Sequence, residues 1–345
     1  MKILLLTQIV DKNDTFLGFT HTWLESFATR FENIIVVCLK EGVHDLPDNV
    51  QVYSLGKEGG VSRCKYVKNF FKNIWKHRKE YESVFVKMNH EYVVLGGWLW
   101  RLMGKKVTLW RNHFEGSALV DIAALFCHKV FCTSKYSYTA KYKKAVFMPV
   151  GVPEDVFNEV DESRREPHSI LSFVRISPAK KIEQLIEALS LLKKKGVQFT
   201  ATICGDATPE LKEYEEMLHK KVKDSDLESD VTFKKGIPYA EVPELYASHE
   251  MSVNQSPSGM YDKTIFEAML SGTLVLSCNK NLESEIDEMF LFTEDNIEEL
   301  ADRLEHLLLL SEQEREERKQ ELQEYALKNH SLKQLTKRLI EEFKI

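Results

Sequence analysis

Short apolar, β-branched runs alternate with helix-length amphipathic stretches along the whole 345-residue chain. Consecutive parallel strands need a crossover of about a dozen residues or more, usually a helix. The alternation therefore predicts α/β architecture, with parallel sheets covered by helices. Strands are expected at residues 2–7, 34–39, 51–54, 83–86, 106–110, 129–133 and 145–149, and again at 169–174, 200–204, 231–234, 251–254, 274–277 and 291–292. Helices are expected at 20–30, 61–79, 181–195, 210–223, 243–247, 264–271 and 297–310, followed by a charged helical segment over 311–345.

At roughly 100–200 residues per domain, the length predicts two domains. Residues 154–167 are polar and lie between two strand patterns, as a linker would, and the alternation then restarts. The expected organisation is a first Rossmann-like lobe over 1–160, a second over 161–325, and a C-terminal helix over 326–345 that can return to the first lobe. The two lobes are expected to face each other across a cleft.

Hydrophobic residues make up 43% and charged residues 29% of the chain, which excludes a disordered or collagen-like protein. No run reaches the roughly 18 consecutive apolar residues of a membrane-spanning helix. Residues 1–10 carry one basic residue and an apolar run without a small-residue cleavage site, so they read as a strand and not as a signal peptide. The six cysteines (Cys38, Cys64, Cys127, Cys132, Cys204, Cys278) contain no C-x-x-C pair. Reduced thiols in the cytoplasm are expected, and the scattered histidines give no metal site. The first 165 residues carry an excess of six positive charges and the remainder an excess of twelve negative ones, so the first half is suited to meeting something anionic.

Two segments concentrate the chemistry. Val174-Arg-Ile-Ser-Pro-Ala-Lys-Lys181 places Arg175 and Lys180 between a strand and an amphipathic helix, where open α/β sheets bind ligands. A guanidinium fork and a compact ammonium make a diphosphate clamp, although solvated cations at a helix start would look the same. Gln255-Ser-Pro-Ser-Gly-Met-Tyr-Asp-Lys-Thr264 runs from a strand into a helix. Asp262 is placed to cap it, Gly259 allows close backbone approach, and the free N–H groups near Thr264 favour an anion. Glu267, one turn in, can accept two vicinal ribose hydroxyls or simply compensate the helix dipole.

Together these blocks resemble glycosyltransferase family 4, the retaining GT-B group also called glycosyltransferases group 1, over nearly the whole chain. Its Gly-Arg-Leu-Ser-Pro-Glu-Lys-Gly block looks like Val174 to Lys181, and its Glu-Ala-Met-Ala-x-Gly-x-Pro-Val run is similar to Glu267-Ala-Met-Leu-Ser-Gly-Thr-Leu-Val275. Met148-Pro-Val-Gly-Val-Pro153 resembles the turn between its lobes. The resemblance implies an acceptor-side first lobe over 1–160 and a nucleotide-sugar-binding second lobe over 161–325, with Arg175 and Lys180 at the diphosphate, His113 facing the donor sugar, Gly18 approaching the diphosphate through its backbone, and Ile237 in the loop that contacts the base. The first Glu of the family's Glu-x7-Glu motif falls at Gly259, and Asp262-Lys263 stands as its replacement.

The implied activity is retaining, metal-independent transfer of a sugar from a nucleotide-diphosphate donor to a hydroxyl acceptor (a glycan, a lipid-linked molecule or a small molecule), with no cofactor. A polysaccharide or glycolipid pathway is its expected setting. Arg175, Lys180 and the helix end would stabilise leaving-group charge, and lobe closure would exclude water. Rival readings are a GT-B nucleotide-sugar epimerase and a non-catalytic nucleotide-sugar-binding subunit. A dehydrogenase is not expected, because no G-x-G-x-x-G follows a strand.

Residues 61–79 carry seven Lys or Arg and no acid, with apolar residues at three- or four-residue spacing. This face can rest on the anionic inner face of a membrane near a lipid-linked acceptor, or pack on the sheet. Nucleic acid is not expected as a partner, since the chain is acidic and no recognition module appears.

Overall fold

The computed structural model describes residues 1–344. The chain divides into two compact units, residues 1–151 with 332–345, and residues 152–331.

In the first unit β1 (Lys2–Val10), α1 (Phe19–Ala28), β2 (Asn33–Glu41), β3 (Val50–Ser54), α2 (Arg63–Lys76), β4 (Ser83–Lys87), α3 (His90–Leu102), β5 (Lys106–Trp110), α4 (Ala118–Phe126), β6 (Lys129–Cys132) and β7 (Ala145–Phe147) follow in sequence. The strands form one parallel sheet in the order β3-β2-β1-β4-β5-β6-β7. Both faces are covered, which is why the strands are apolar runs without polar alternation. Along β1, Ile3 and Leu5 join the core of one face and Leu4 and Leu6 that of the other, the period of two that a pleated strand imposes.

The second unit runs α5 (Glu154–Phe157), β8 (Glu166–Phe173), α6 (Ile182–Lys194), β9 (Thr200–Cys204), α7 (Lys212–Asp224), β10 (Val231–Lys234), α8 (Val242–Ala247), β11 (His249–Asn254), α9 (Lys263–Leu270), β12 (Leu274–Ser277), α10 (Ile297–Leu308) and α11 (Glu312–His330). Its five strands are also parallel, in the order β10-β9-β8-β11-β12. The last helix, α12 (Leu332–Lys344), belongs to the first unit. There Phe343 meets Phe31, Phe85 and Phe131 edge-on, with centroids 6.0–6.2 Å apart, beside buried Leu335 and Leu339.

The division falls at Gly151–Val152, not at residue 160, and the return begins at Leu332, not at residue 326. Val152 N–H donates to His330 O, so the entering and leaving chains pair within the second unit. Phe157 is fully buried there, against Tyr239 and Tyr246. The polar stretch marks surface exposure, and the turn at 148–153 marks the crossing.

Helices α3 and α4 were not expected. Gly96 and Gly97 weaken the helical pattern of α3, yet packing requires them. A Cβ at Gly96 would lie 2.7 Å from Phe70 of α2, and one at Gly97 would lie 2.6 Å from Phe126 of α4. The expected strand at 291–292 is reduced to a single bridge between Ser277 and Leu291. The helical tail is two helices, broken at the buried Ser331. In α2, Phe70 and Ile74 pack into the core, whereas Trp75 remains 52% exposed. All six cysteines are free thiols. No helix among the described residues is long and apolar enough to cross a membrane.

Truncating Phe343 to Ala removes a ring from a core that α12 closes together with α1. We expect a loss of about 3–5 kcal/mol in the denaturant unfolding of the first unit. A loss below about 1 kcal/mol would show that α12 is only loosely docked.

Candidate active site

In an open parallel sheet, loops leave the carboxyl edge in opposite directions at one point of the strand order, and the crevice there binds ligands. In the second unit that point lies between β8 and β11. Sequence-selected residues come from the two loops that part there.

The loop after β8 is pinned to its neighbour. Val174 N–H donates to Cys204 O and Ile176 N–H to Asp206 O, which extends the strand pairing around Arg175. Gly205 has φ 155°, and a Cβ there would lie 1.8 Å from Val174 O. Only glycine lets the two backbones pass. Arg175 is exposed at the tip. Lys181 has φ 51° and anchors the loop through Glu294 and Asp295, at 2.7 and 2.6 Å. It occupies the position where the similar motif has Gly, and it takes a left-handed conformation there.

Lys180 joins the two loops. Its Nζ lies 2.6 Å from Ser256 Oγ and 2.5 Å from Asp262 Oδ2, and Ser256 Oγ also donates to Asp262 Oδ2, at 2.5 Å. Asp262 caps α9, accepting from Thr264 N–H at 3.3 Å. Burial would raise the Asp262 carboxyl, but the Lys180 ammonium and the Ser256 hydroxyl outweigh it and hold the group ionised well below the usual carboxylate range. The loop carrying Gly259 is equally fixed. Asn281 Nδ2 donates to Ser258 O at 2.7 Å, Asn279 Nδ2 to Met260 O at 2.9 Å, and Asn254 Nδ2 to Thr264 Oγ1 at 2.8 Å.

One turn into α9, Glu267 is buried and accepts from Tyr239 Oη at 3.0 Å. Burial pushes the Glu267 carboxyl up to about 7, against the pull of Lys263 and Tyr239. Burial likewise pushes Lys263, four residues earlier in the same helix, down to about 7 against the charge of Glu267. Of the Asp262-Lys263 pair, Asp262 is bound to Lys180. Ile237 is half-buried in the loop after β10, where Gly236 N–H donates to Asp206 Oδ1 at 3.1 Å.

The remaining two sequence candidates belong to the first unit. Gly18 precedes α1 with φ −52°. His113 follows β5, its ring stacked on Phe114 and its Nδ1 accepting from Glu115 N–H at 3.0 Å. In the neutral ring this leaves the proton on Nε2. Sequence reading passed over Ser256, Tyr239, Gly205 and Asp206. Of these, only Gly205, a glycine at the end of an apolar run, carried a local signal. Among the described residues, no group of three or more His, Cys, Asp or Glu is placed to share a metal ion.

Residues 155–328 match the family described as Glycosyl transferases group 1. No curated protein matches the chain by sequence. Among solved structures, Anabaena HepE in complex with UDP and glucose superposes with TM-score 0.80 at 19% identity, over 100% of this chain and 99% of that one. Sucrose-phosphate synthase from Thermosynechococcus elongatus gives TM-score 0.77 at 15% identity, over 100% and 98%. A glycosyltransferase from Rickettsia africae gives 0.76 at 15%, over 99% and 98%. These likenesses establish the two-sheet α/β fold of GT-B enzymes.

Removing one partner of a buried ion pair strands the other. Asp262→Ala should cost the second unit roughly 3–5 kcal/mol at pH 7. Because the folded-state pKa of Asp262 lies below its ordinary value of 3.8, the stability it contributes is complete above that value and fades as pH falls below it. Denaturant unfolding between pH 3 and 7 should show this acid loss in the wild type and a smaller one in Asp262→Asn. Equal slopes would contradict the pairing.

Proposed function

The chain belongs to the group 1 glycosyltransferases, and on that premise we propose that it transfers a sugar from a UDP-linked donor to a hydroxyl acceptor with retained anomeric configuration. The observation that carries this reading is the Lys180–Ser256–Asp262 cluster, which joins two motif blocks at the switch point of the second unit. UDP as the nucleotide is supported by HepE, whose structures contain UDP, UDP with glucose, and UDP-glucose.

In this reading Arg175, Lys180 and the N–H groups at the start of α9 meet the diphosphate, supplying positive charge where the leaving group gains negative charge. Asp262 is a positioning residue, acting through Lys180. Glu267 accepts the ribose hydroxyls, the Ile237 loop contacts the base, the Gly18 backbone approaches the diphosphate, and His113 Nε2–H donates to the donor sugar. The bond from the anomeric carbon to the phosphate oxygen breaks on the face where the acceptor oxygen bonds, and the acceptor proton passes to the departing phosphate oxygen. Transfer would need neither metal nor cofactor, since two cations and a helix end supply the charge.

We place the enzyme in the cytoplasm, where its free thiols would stay reduced, in the synthesis of a polysaccharide or glycolipid. Peripheral membrane contact through residues 61–79 is supported by exposed Trp75 among the cations of α2.

Arg175→Ala should lower kcat/KM by about 30- to 1000-fold, or roughly 2–4 kcal/mol of transition-state stabilisation. Turnover of UDP-sugars with hydroxyl acceptors, with the product anomer assigned by NMR, measures both parts of the reading. Unchanged turnover in folded Arg175→Ala protein would remove Arg175 from the diphosphate, and an inverted product would remove the retaining mechanism. A second reading, a non-catalytic nucleotide-sugar-binding subunit, is favoured by Gly259 at the expected carboxylate position. Binding of UDP-sugar without turnover on any acceptor would select it.

A further inference from the structure

Tyr239 ties the loop after β10 to a carboxylate on α9, across 28 residues of sequence. The loop itself is fixed at both ends. Gly236 N–H donates to Asp206 Oδ1 at 3.1 Å, and a Cβ at Gly236 would lie 2.5 Å from Asp206 Oδ2. Glu241 N–H donates to Pro238 O at 2.9 Å, and the Pro238 ring restricts its own φ. From this loop the half-buried Tyr239 lays its ring against that of Phe157, with centroids 5.7 Å apart. Its Oη then donates to Glu267 Oε1 at 3.0 Å.

Glu267 is 2% exposed, and a buried carboxylate is costly unless it is hydrogen-bonded. The groups that act on it come from three elements: Lys263 and Asp262 from α9, Tyr239 from the loop after β10, and Tyr246 from α8. The Lys263 charge and the Tyr239 hydrogen bond favour the ionised form, whereas burial and the Asp262 charge oppose it. Burial and the Glu267 charge hold both phenols protonated well above their ordinary range. Tyr239 is therefore a donor at every pH where the folded protein is handled.

An ionised carboxylate accepts hydrogen bonds only, and one bond from Tyr239 leaves most of its lone pairs open. That bond also orients the group, as a ligand-binding side chain must be held by its neighbours. We propose that Tyr239 is a positioning residue that selects ribonucleotides over 2′-deoxyribonucleotides, by fixing the Glu267 carboxylate to receive two vicinal hydroxyls. This rests on the donor reading above and adds to it the residue that sets ribose selectivity. A site built to bond a hydroxyl rejects the analogue lacking it, because the buried partner is then left unpaired. The discrimination depends on pH. Burial pushes the Glu267 carboxyl up to about 7, and a protonated carboxyl accepts hydroxyl hydrogens less well, so selectivity is full above that value and fades below it.

The test is calorimetric titration of the full chain with UDP and 2′-deoxy-UDP between about pH 6 and 8.5. The wild type should bind UDP more tightly than 2′-deoxy-UDP by about tenfold or more at the upper end, with the margin narrowing toward the lower. Tyr239→Phe keeps the ring against Phe157 and removes only the hydroxyl. It should cut the margin at pH 7 by about fivefold. It should also move the pH at which the margin is half lost upward, since Glu267 loses a donor that favours its charged form. Glu267→Gln should abolish the pH dependence. A Tyr239→Phe protein that weakens both nucleotides by the same factor, or leaves the margin and its pH profile unchanged, would overturn the proposal. UDP binding with no ribose margin in the wild type would overturn it alone, whereas no UDP binding at all would take the donor reading with it.

Discussion

Lys180 is the residue on which the candidate site of the second unit depends. Its ammonium draws Ser256 and Asp262 toward the loop that carries Arg175, while the Asp262 backbone starts α9. A buried charge pair is costly unless its geometry and hydrogen bonding are complete. Here the Ser256 hydroxyl and the Thr264 N–H complete it. Two loops that the sheet sends in opposite directions are thereby held side by side, with the Lys180 ammonium at the residue that caps α9. Catalysis by electrostatic stabilisation demands such preorganisation, since dipoles that must reorient during reaction contribute little.

The same construction principle reaches the first unit in a different form. Lys87, at the end of β4, ties that strand to the start of α1 through Thr20, and past the ends of β4, β5 and β6 Asn89 Oδ1, Arg111 Nε and Thr133 Oγ1 are buried without hydrogen-bond partners. Met88, the next residue, has φ 72°, a sparsely populated backbone region that persists only where the surroundings over-determine it. Gly205 shows the same demand without strain, since glycine accepts the conformation that the Arg175 loop imposes on its neighbour.

The sequence makes the sheets legible because strands covered on both faces are near-continuous apolar runs, and nearly every expected strand is found. It hides α3 because Gly96 and Gly97, poor helix residues, are required by Phe70 and Phe126 packing against them. The site is legible in part. Arg175, Lys180, Asp262 and Glu267 stand in motif blocks that could be matched locally, whereas Ser256 as the partner of Lys180, 76 residues away, and Tyr239 as the partner of Glu267 depend on tertiary pairing. The boundary near 160 was misplaced because polarity reports exposure, and residues 154–160 are a surface segment anchored by one buried ring, Phe157.

The most direct test is calorimetric titration of UDP, GDP and ADP against the wild type and Lys180→Met, without added metal. The account predicts micromolar binding of UDP in preference to the other two, and its loss in a Lys180→Met protein that remains folded. Absence of binding for all three nucleotides, or UDP binding that survives the loss of the ammonium undiminished, would contradict it.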